Sequence, residues 1–205
     1  MRIAIDGPAA AGKTTLARSL AEALGFLFVP TGAMYRAAAL ARGRGIPLEA
    51  MEISVRPGGR VVLCGQDVTD VLSSPDLDEL SSQVAVDSRV RRRLVEIQRH
   101  IAAEGNVVME GRDIGTVVLP NAELKIFLWA TEEERARRRH AEQGGDYQEI
   151  LAAIRRRDER DSTRPDSPLR EAADAVVVDT TGKSPAEVLA AVVRLVEGRR
   201  ARLAR

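Results

Sequence analysis

Short runs of apolar and β-branched residues alternate along the chain with longer segments in which apolar residues recur every three or four positions. The first pattern predicts buried strands, and the second predicts amphipathic helices. Strands are expected at 2–6, 26–29, 106–110, 124–130 and 175–179. Helices are expected at 14–24, 31–43, 74–86, 87–103, 131–142, 147–160 and from residue 184 onward. This alternation predicts an α/β fold with a doubly wound, parallel, five-stranded sheet.

The segment from 44 to about 72 departs from this rhythm. It carries strand-like residues around a Pro57-Gly58-Gly59 turn without a following helix, which indicates an insertion. Gly144 and Gly145 separate two charged helices and are typical of a hinge. The predicted units are a core formed by 1–40, 84–140 and 165–205, an insertion at 41–83 and a helical lid at 141–164.

The charges nearly cancel, because 31 Lys and Arg face 30 Asp and Glu for a net charge of +1. A balanced chain is not expected to bind nucleic acid or a membrane surface through bulk electrostatics. The sequence has no signal-peptide pattern and no run of 18 apolar residues, and Cys64 is its one cysteine. We therefore expect a cytoplasmic protein with no internal disulfide and no membrane span.

Residues 7–14 match the phosphate-binding pattern called Walker A, Gly7-x-x-x-x-Gly12-Lys13-Thr14, between a predicted strand and a predicted helix. Glycines let several backbone N–H groups point at one anion, and the helix start adds the positive end of its dipole. Lys13 is placed to reach the β- and γ-phosphates of a nucleotide, and the Thr14 hydroxyl is placed to ligate Mg²⁺. An ordinary glycine-rich turn is the disfavoured alternative.

Three classes of protein share such a loop. A GTPase is disfavoured because none of the three lysines lies in an Asn/Thr-Lys-x-Asp motif, and a nucleic-acid motor because the chain is short and lacks a basic track. A phosphotransferase needs several fixed cations around the group in transfer. Arg36, Arg112, Arg157 and Arg164 are candidates for that task. A regulatory nucleotide-binding module without an acceptor is the alternative from a different class.

The segment 131–170 is densely charged, with ten arginines and ten acidic residues. Most of these arginines, including Arg138 and Arg139, are interpreted as solvated helix surface. Arg157, Asp161 and Arg164 differ because spacings of four and three residues place them on one face of a helix. Two guanidinium groups and a carboxylate are therefore expected to converge on one ligand.

Six blocks of the sequence together resemble a known family. They are "IDGPAAAGKTTLA", "TGAMYR", "SSQVA…RVRRRLVEIQR", "VMEGRDIGTVVLP", "KIFLWATEEERARRR" and "RRRDERDSTRPDSPL". In order and spacing, over nearly the whole length, they resemble the bacterial cytidylate kinases, which belong to the nucleoside monophosphate kinases. The resemblance implies a monomeric P-loop kinase that uses ATP and Mg²⁺ to phosphorylate CMP or dCMP. The residues alone leave UMP, AMP, shikimate and dephospho-coenzyme A open as acceptors.

The resemblance also implies roles for individual residues. ATP is expected on Gly7, Pro8, Ala9, Ala10, Ala11, Gly12, Lys13, Thr14 and Thr15. The acceptor is expected on Thr31, Tyr35, Arg36, Ser82, Arg91, Arg112, Asp113, Arg157 and Asp161, with Ser82, Arg91 and Asp113 at the base-reading positions. The implied catalytic cations are Lys13, Arg112, Arg157 and Arg164. The insertion at 41–83 corresponds to the family's monophosphate-binding domain.

Five further residues receive no part in catalysis. Trp129 is interpreted as core packing, and Cys64 as a small apolar residue. His100 and His140 lie in polar helical stretches and are interpreted as surface residues, since an anionic acceptor phosphate needs no general base. Glu110 stands where the family usually has Asp, so no role is transferred to it.

Overall fold

The computed structural model of the chain describes residues 1–204, apart from the side chains of residues 75, 76, 78 and 79; the predicted core segment 165–205 thus ends one residue outside the described part. The strands are β1 (Arg2–Asp6), β2 (Leu27–Pro30), β3 (Ile53–Arg56), β4 (Arg60–Leu63), β5 (Gln66–Asp67), β6 (Val107–Gly111), β7 (Leu124–Trp129) and β8 (Val176–Asp179). The α-helices are α1 (Lys13–Leu24), α2 (Thr31–Gly43), α3 (Pro75–Val84), α4 (Ser88–Ala103), α5 (Glu132–Gln143), α6 (Tyr147–Thr163) and α7 (Pro185–Leu203).

The central sheet has five parallel strands in the order β2-β6-β1-β7-β8. Alternate residues of β1 point to opposite faces, as the period of a strand requires. Ile3 and Ile5 pack with α1 and α7, whereas Ala4 packs with α2 and α4 on the other face. The predicted doubly wound α/β fold is therefore confirmed, with helices on both sides of the sheet.

The strand order places the functional loops together at one edge. In such a sheet, ligands bind beyond the carboxyl ends of the strands where the strand order reverses. Strand β1 is central and ends at Asp6, next to the end of β6 at Gly111 in the register of the sheet. The phosphate loop and the Arg112-Asp113 segment consequently leave the sheet side by side.

The end of α6 corrects one expectation. Arg164 was predicted to share a helical face with Arg157 and Asp161, but α6 ends at Thr163 and Arg164 has an extended ψ of 138°. Pro165 follows directly, and a residue that precedes proline is pushed out of the helical region. Arg164 therefore starts the next loop instead of standing on the helix.

The insertion contains a small antiparallel sheet, β3-β4-β5, as its strand-like sequence indicated. Its turn lies against the core sheet at Gly59, which has a left-handed φ of 77°. A Cβ at this position would lie 2.4 Å from Phe28 Cδ1, so only glycine fits without a shift. The boundaries of the insertion and of the lid stay predictions.

Two structural interpretations of single residues are wrong. Trp129 is 41% exposed, because it ends β7 opposite Asp179 of the edge strand β8. Cys64 is exposed and has a left-handed φ of 48° in the tight connection between β4 and β5. His100 and His140 are exposed, as expected. None of the helices within residues 1–204 is long and apolar enough to cross a membrane.

Gly7→Ala is expected to lower the free energy of unfolding by at least about 3 kcal/mol, because a Cβ there would lie 2.1 Å from the backbone oxygen of Leu128. The matched control is Gly198→Ala in α7, where a Cβ meets nothing within 4 Å and alanine favours the helix. Urea unfolding of both variants measures the difference. Equal effects of the two substitutions would contradict this account of the close approach.

Candidate active site

The phosphate loop leaves the start of α1 open to an anion. Gly12 precedes the helix with a left-handed φ of 89°, and Ala10 takes a φ of 56° that costs an alanine about 1 kcal/mol. Within residues 1–204, α1 has no capping side chain, and its first turn carries no acidic residue. Its N-terminal N–H groups and its positive dipole end are thus available to a phosphate.

Lys13 is a buried cation inside this loop. Its side-chain nitrogen Nζ donates a hydrogen bond to the Pro8 carbonyl oxygen at 2.6 Å. Burial lowers the pKa of Lys13 to about 7, with Arg112 acting in the same direction and Glu110 against it. An added phosphate would supply the negative charge that favours the protonated amine.

Two hydroxyl groups contact Glu110, the buried residue that stands in place of the family's Asp. The Thr14 hydroxyl donates to Glu110 Oε1 at 3.2 Å, and the buried Thr31 hydroxyl donates to the Glu110 carbonyl oxygen at 2.7 Å. Thr14 itself is exposed. A hydroxyl and a carboxylate therefore lie together beside the phosphate loop, and both are oxygen ligands of the kind that Mg²⁺ prefers.

Arg91 and Asp113 form a buried ion pair between α4 and the loop that follows β6. The Arg91 side chain is 2% exposed and donates to Asp113 Oδ2, and also to the Ala85 carbonyl oxygen at 3.2 Å. Its guanidinium carbon lies 5.6 Å from the ring centroid of Tyr35, a cation–π distance. Burial raises the pKa of Asp113, while Arg91 and Arg164 oppose that rise. Arg91 thereby fixes the Asp113 carboxylate in place.

Arg112 joins the core to α6. Its Nε donates to Asp161 Oδ2 at 2.7 Å, and both side chains are largely buried. Burial alone would raise the pKa of Asp161, but Arg112, followed by Arg157 and Arg164, lowers it below its usual value. The Asp161 carboxylate therefore stays ionised and holds Arg112 in position.

Arg164 reaches back from the end of α6 to the same loop. Its Nε donates to the Ser167 carbonyl oxygen at 2.7 Å, and its NH2 nitrogen lies 3.7 Å from Asp113 Oδ1. Burial and then Arg91 lower the pKa of Arg164, since two guanidinium groups share one confined space. The Asp113 carboxylate, which lies beside both guanidinium groups, opposes this lowering.

Two cavities meet at Lys13. The first is lined by all the residues assigned to the acceptor and by all four implied catalytic cations: Lys13, Thr31, Tyr35, Arg36, Ser82, Arg91, Arg112, Asp113, Arg157, Asp161 and Arg164. The second is lined by Ala10, Ala11, Gly12, Lys13, Thr14 and Thr15, together with Arg138, Thr180 and Lys183. Ala10, Lys13, Thr14 and Arg139 belong to both linings.

Three residues of the predicted ATP loop lie away from the second cavity. Ala9 lines the first cavity, while Gly7 and Pro8 are absent from both linings. Gly7 makes the close approach to Leu128, and the carbonyl oxygen of Pro8 accepts from Lys13. Gly7 and Pro8 therefore shape the loop, and the part of the loop that lines the second cavity begins at Ala10.

Sequence reasoning missed the ion pair between the buried Arg135 of α5 and the partly buried Asp158 of α6, which ties both helices to the phosphate loop. Arg135 donates to the carbonyl oxygens of Ala9 and Ala130 at 3.1 and 3.0 Å and pairs with Asp158. The Ala9 N–H in turn donates to Asp158 Oδ1 at 3.2 Å. Both polar groups of the Ala9 backbone are therefore held by side chains of α5 and α6.

The interpretation of Arg138 as solvated surface is wrong. It donates to the hydroxyl and carbonyl oxygens of Thr180 at 3.0 and 2.6 Å and lines the second cavity. The inner face of α5 gives little signal in the sequence, because the apolar residue that it buries is a small one, Ala136. A pattern of apolar residues could not have shown which of its arginines turn inward.

A phosphate loop at the switch point of a parallel sheet, between two cavities that share its lysine, defines a P-loop kinase. Solved structures share this fold. TT1252 from Thermus thermophilus is 19% identical, with a TM-score of 0.55 and coverage of 97% of this chain and 96% of its own. Shikimate kinase from Bacteroides thetaiotaomicron is 15% identical, with a TM-score of 0.51 and coverage of 96% and 98%.

The sequence comparisons are more specific. The family model of cytidylate kinase matches residues 3–198. Cytidylate kinase of Carboxydothermus hydrogenoformans is 48% identical, covering 96% of this chain and 97% of that protein. The enzyme of the same name from Geobacillus kaustophilus is 47% identical, with 96% of both chains covered. The chain belongs to the cytidylate kinase family.

Proposed function

We propose that the protein transfers the γ-phosphate of ATP to CMP or dCMP, which yields ADP and CDP or dCDP. The meeting of the two cavities at Lys13 carries this proposal. Two polyanionic ligands placed end to end repel each other where their phosphates meet. Lys13, Arg112, Arg157 and Arg164 all line the cavity at that junction, and fixed cations there stabilise the charge that spreads over a phosphoryl group in transfer.

The donor side holds the polyphosphate through the N–H groups at the start of α1 and through Lys13. The exposed hydroxyl of Thr14 and the nearby carboxylate of Glu110 fit a magnesium ion carried by ATP, with Thr14 as its protein ligand. Bound Mg²⁺ would neutralise charge on the β- and γ-phosphates. Arg138, Thr180 and Lys183 also line this cavity and would contact ATP beside the phosphate loop.

The acceptor side divides into three parts. Thr31, Tyr35, Arg36 and Arg112 line the same cavity as Lys13 and would hold the acceptor phosphate, while Arg157 and Asp161 would contact the ribose. Ser82, Arg91 and Asp113 would read the base. The Asp113 carboxylate can accept from the exocyclic amine of cytosine, whereas uracil presents a carbonyl there and leaves the carboxylate mispaired.

Phosphate transfer then depends on the positions of the two substrates and on stabilisation of the charge on the transferred group. No covalent intermediate with the protein forms. An oxygen of the acceptor phosphate forms a bond to the γ-phosphorus, in line with the bond to the leaving ADP oxygen that breaks. The proposed lid, 141–164, carries Arg157 and Asp161 and would exclude water, the competing acceptor. The proposed insertion, 41–83, carries Ser82. One chain supplies both cavities, so we propose that the protein is a monomer, which light scattering tests. We also propose that it acts in the reducing cytoplasm.

A coupled assay of ADP formation tests the function. ATP and Mg²⁺ are supplied with CMP, dCMP, UMP, AMP, shikimate or dephospho-coenzyme A, and also with no acceptor. We expect fast turnover with CMP and dCMP and far slower turnover in every other mixture. Turnover that is the same with and without CMP would contradict the proposal, and preference for another acceptor would replace CMP by that compound.

Binding of MgATP should be linked to proton uptake at Lys13. With a pKa of about 7 in the free protein, Lys13 is mostly neutral at pH 8, and the bound phosphates raise its pKa. We therefore expect net proton uptake on ATP binding at pH 8, and less uptake at pH 6, where the amine is already mostly protonated. Calorimetry in buffers of different ionisation enthalpy measures this uptake. A binding enthalpy at pH 8 that is the same in every buffer would contradict the prediction.

A further inference from the structure

Asp6 is a buried carboxylate for which the proposed reaction has no direct use. It ends β1 immediately before Gly7 and is 5% exposed. Its two oxygens accept from two successive backbone amides of the segment that follows β6, Ile114 N at 2.8 Å and Gly115 N at 2.7 Å. These two hydrogen bonds hold the end of a central strand against a segment more than 100 residues away in the chain.

Those two amides begin a short helical segment, Ile114–Val118, which directly follows Asp113. The Asp113 carbonyl oxygen accepts from Val117 N at 2.9 Å and from Val118 N at 3.2 Å, so Asp113 stands at the N-cap position. An aspartate at that position usually turns its carboxylate back onto the first amides of its own helix. In the described residues, the Asp113 side chain makes no such cap and pairs with Arg91 instead.

We propose that Asp6 is a positioning residue, which caps this helical segment in place of Asp113 and so keeps the Asp113 carboxylate turned toward Arg91 and the acceptor base. Orphan amides at a helix start need an acceptor, and without Asp6 the usual acceptor would be the carboxylate of the N-cap residue itself. The base-reading part of this inference depends on the function proposed above.

The surroundings of Asp6 support a close and specific contact. A Cβ added at Gly115 would lie 3.3 Å from Asp6 Oδ2 and 3.1 Å from Lys125 Cδ, so glycine allows the amide to approach. Burial raises the pKa of Asp6 to about 6, the two amides and then Lys13 oppose the rise, and Asp113 adds to it. The carboxylate is thus ionised above neutral pH, when it has two acceptor oxygens for two donors.

Asp6→Asn removes half of this cap without changing the shape of the side chain. A carboxamide accepts one N–H through its oxygen, while its NH₂ group faces the other amide as a second donor. The amide left without an acceptor then competes with Arg91 for the Asp113 carboxylate. We expect the ratio of kcat/KM for CMP to kcat/KM for UMP to fall by about tenfold, with KM for ATP nearly unchanged.

A double-mutant cycle separates this role from simple structural support. The CMP-to-UMP ratio is measured for the wild type, Asp6→Asn, Asp113→Asn and the double variant. Because Asp6 acts through Asp113, the double variant should show the same ratio as Asp113→Asn alone. Val196→Ala is the control for loss of stability, since Val196 is fully buried on the opposite face of the sheet with α7; it should leave the ratio unchanged.

Gly115→Ala provides a second test that keeps the carboxylate and does not depend on the folding of Asp6→Asn. Its Cβ crowds Asp6 Oδ2, so the ratio should fall in the same direction by a smaller factor. An unchanged ratio in both variants, or equal further losses when Asp6→Asn is added to Asp113→Asn, would overturn the inference. If Asp6→Asn does not fold, an unchanged ratio in Gly115→Ala overturns it alone.

A readout without catalysis distinguishes failure of this inference from failure of the proposed function. Amide hydrogen exchange of Ile114 and Gly115, followed by NMR, should speed up by about tenfold in Asp6→Asn relative to Val196→Ala. Unchanged exchange of these amides overturns the cap even when CMP is the acceptor. Faster exchange in a protein that does not phosphorylate CMP supports the cap and rejects the function.

Discussion

Lys13→Ala is expected to lower kcat for phosphate transfer to CMP by a factor on the order of 10³ while the protein stays folded. Lys13 is one of four residues that line both cavities, and its amine would lie where the γ-phosphate passes from ATP to the acceptor. Steady-state kinetics with ATP and CMP, together with thermal unfolding, measure the two effects. A variant that turns over within threefold of the wild type would contradict the role.

The stability of the Lys13 variants should not follow their activity. Burial lowers the pKa of Lys13, so the folded state disfavours the charged amine relative to the unfolded chain. That penalty is full below pH 7 and disappears as the pH rises toward the ordinary lysine pKa. Lys13→Met keeps the apolar stem without the charge, and we expect it to be inactive and at least as stable as the wild type at pH 7.

Arg112→Ala is expected to lower kcat/KM for CMP by at least about 10²-fold. The change removes a cation from the acceptor cavity, and it also leaves the largely buried Asp161 without Arg112, the group that does most among its neighbours to hold its pKa below the usual value. Arg112→Lys keeps the charge but loses the planar fork, so an intermediate loss is expected. Steady-state kinetics with CMP as the varied substrate measure these losses.

Arg92→Ala is the matched control for Arg112, because Arg92 lies exposed on α4 and stays outside both cavities that meet at Lys13. We expect its kcat/KM to be unchanged. If the losses in Arg112→Ala and Arg92→Ala were alike, the effect would come from general charge and not from the position of Arg112. A double-mutant cycle of Asp161→Asn and Arg112→Ala gives a further check. The 2.7 Å contact predicts strong coupling between the two changes, whereas an effect of general charge predicts none.

The sequence predicted the strands of the central sheet to within one or two residues. Runs such as "NVVME" and "LKIFLWA" are apolar because both faces of a parallel sheet are covered, and this local signal survives in any tertiary context. The phosphate loop was equally clear. Its glycines and lysine follow one another in the chain, so the motif contains its own geometry.

Residues whose partners lie far away in the chain were harder to predict from the sequence. Arg135 and Arg138 have the same neighbours in sequence as surface arginines, yet one is buried against Ala9 and the other lines a cavity. Trp129 shows the opposite error, since an aromatic residue at the end of a buried strand is exposed beside an edge strand. In each case, the environment is set by elements far away in the chain.

The sequence by itself determined the alternation of strands and helices, the phosphate loop and the family to which the blocks belong. Each of these depends on residues that are adjacent or regularly spaced, so local physical chemistry is enough to define it. Only the tertiary structure decided that Asp6 takes the amides of Ile114 and Gly115, and that Asp158 holds Ala9. These contacts join segments about 100 to 150 residues apart, and their partners exist only once the parallel sheet has brought the ends of its strands to one edge.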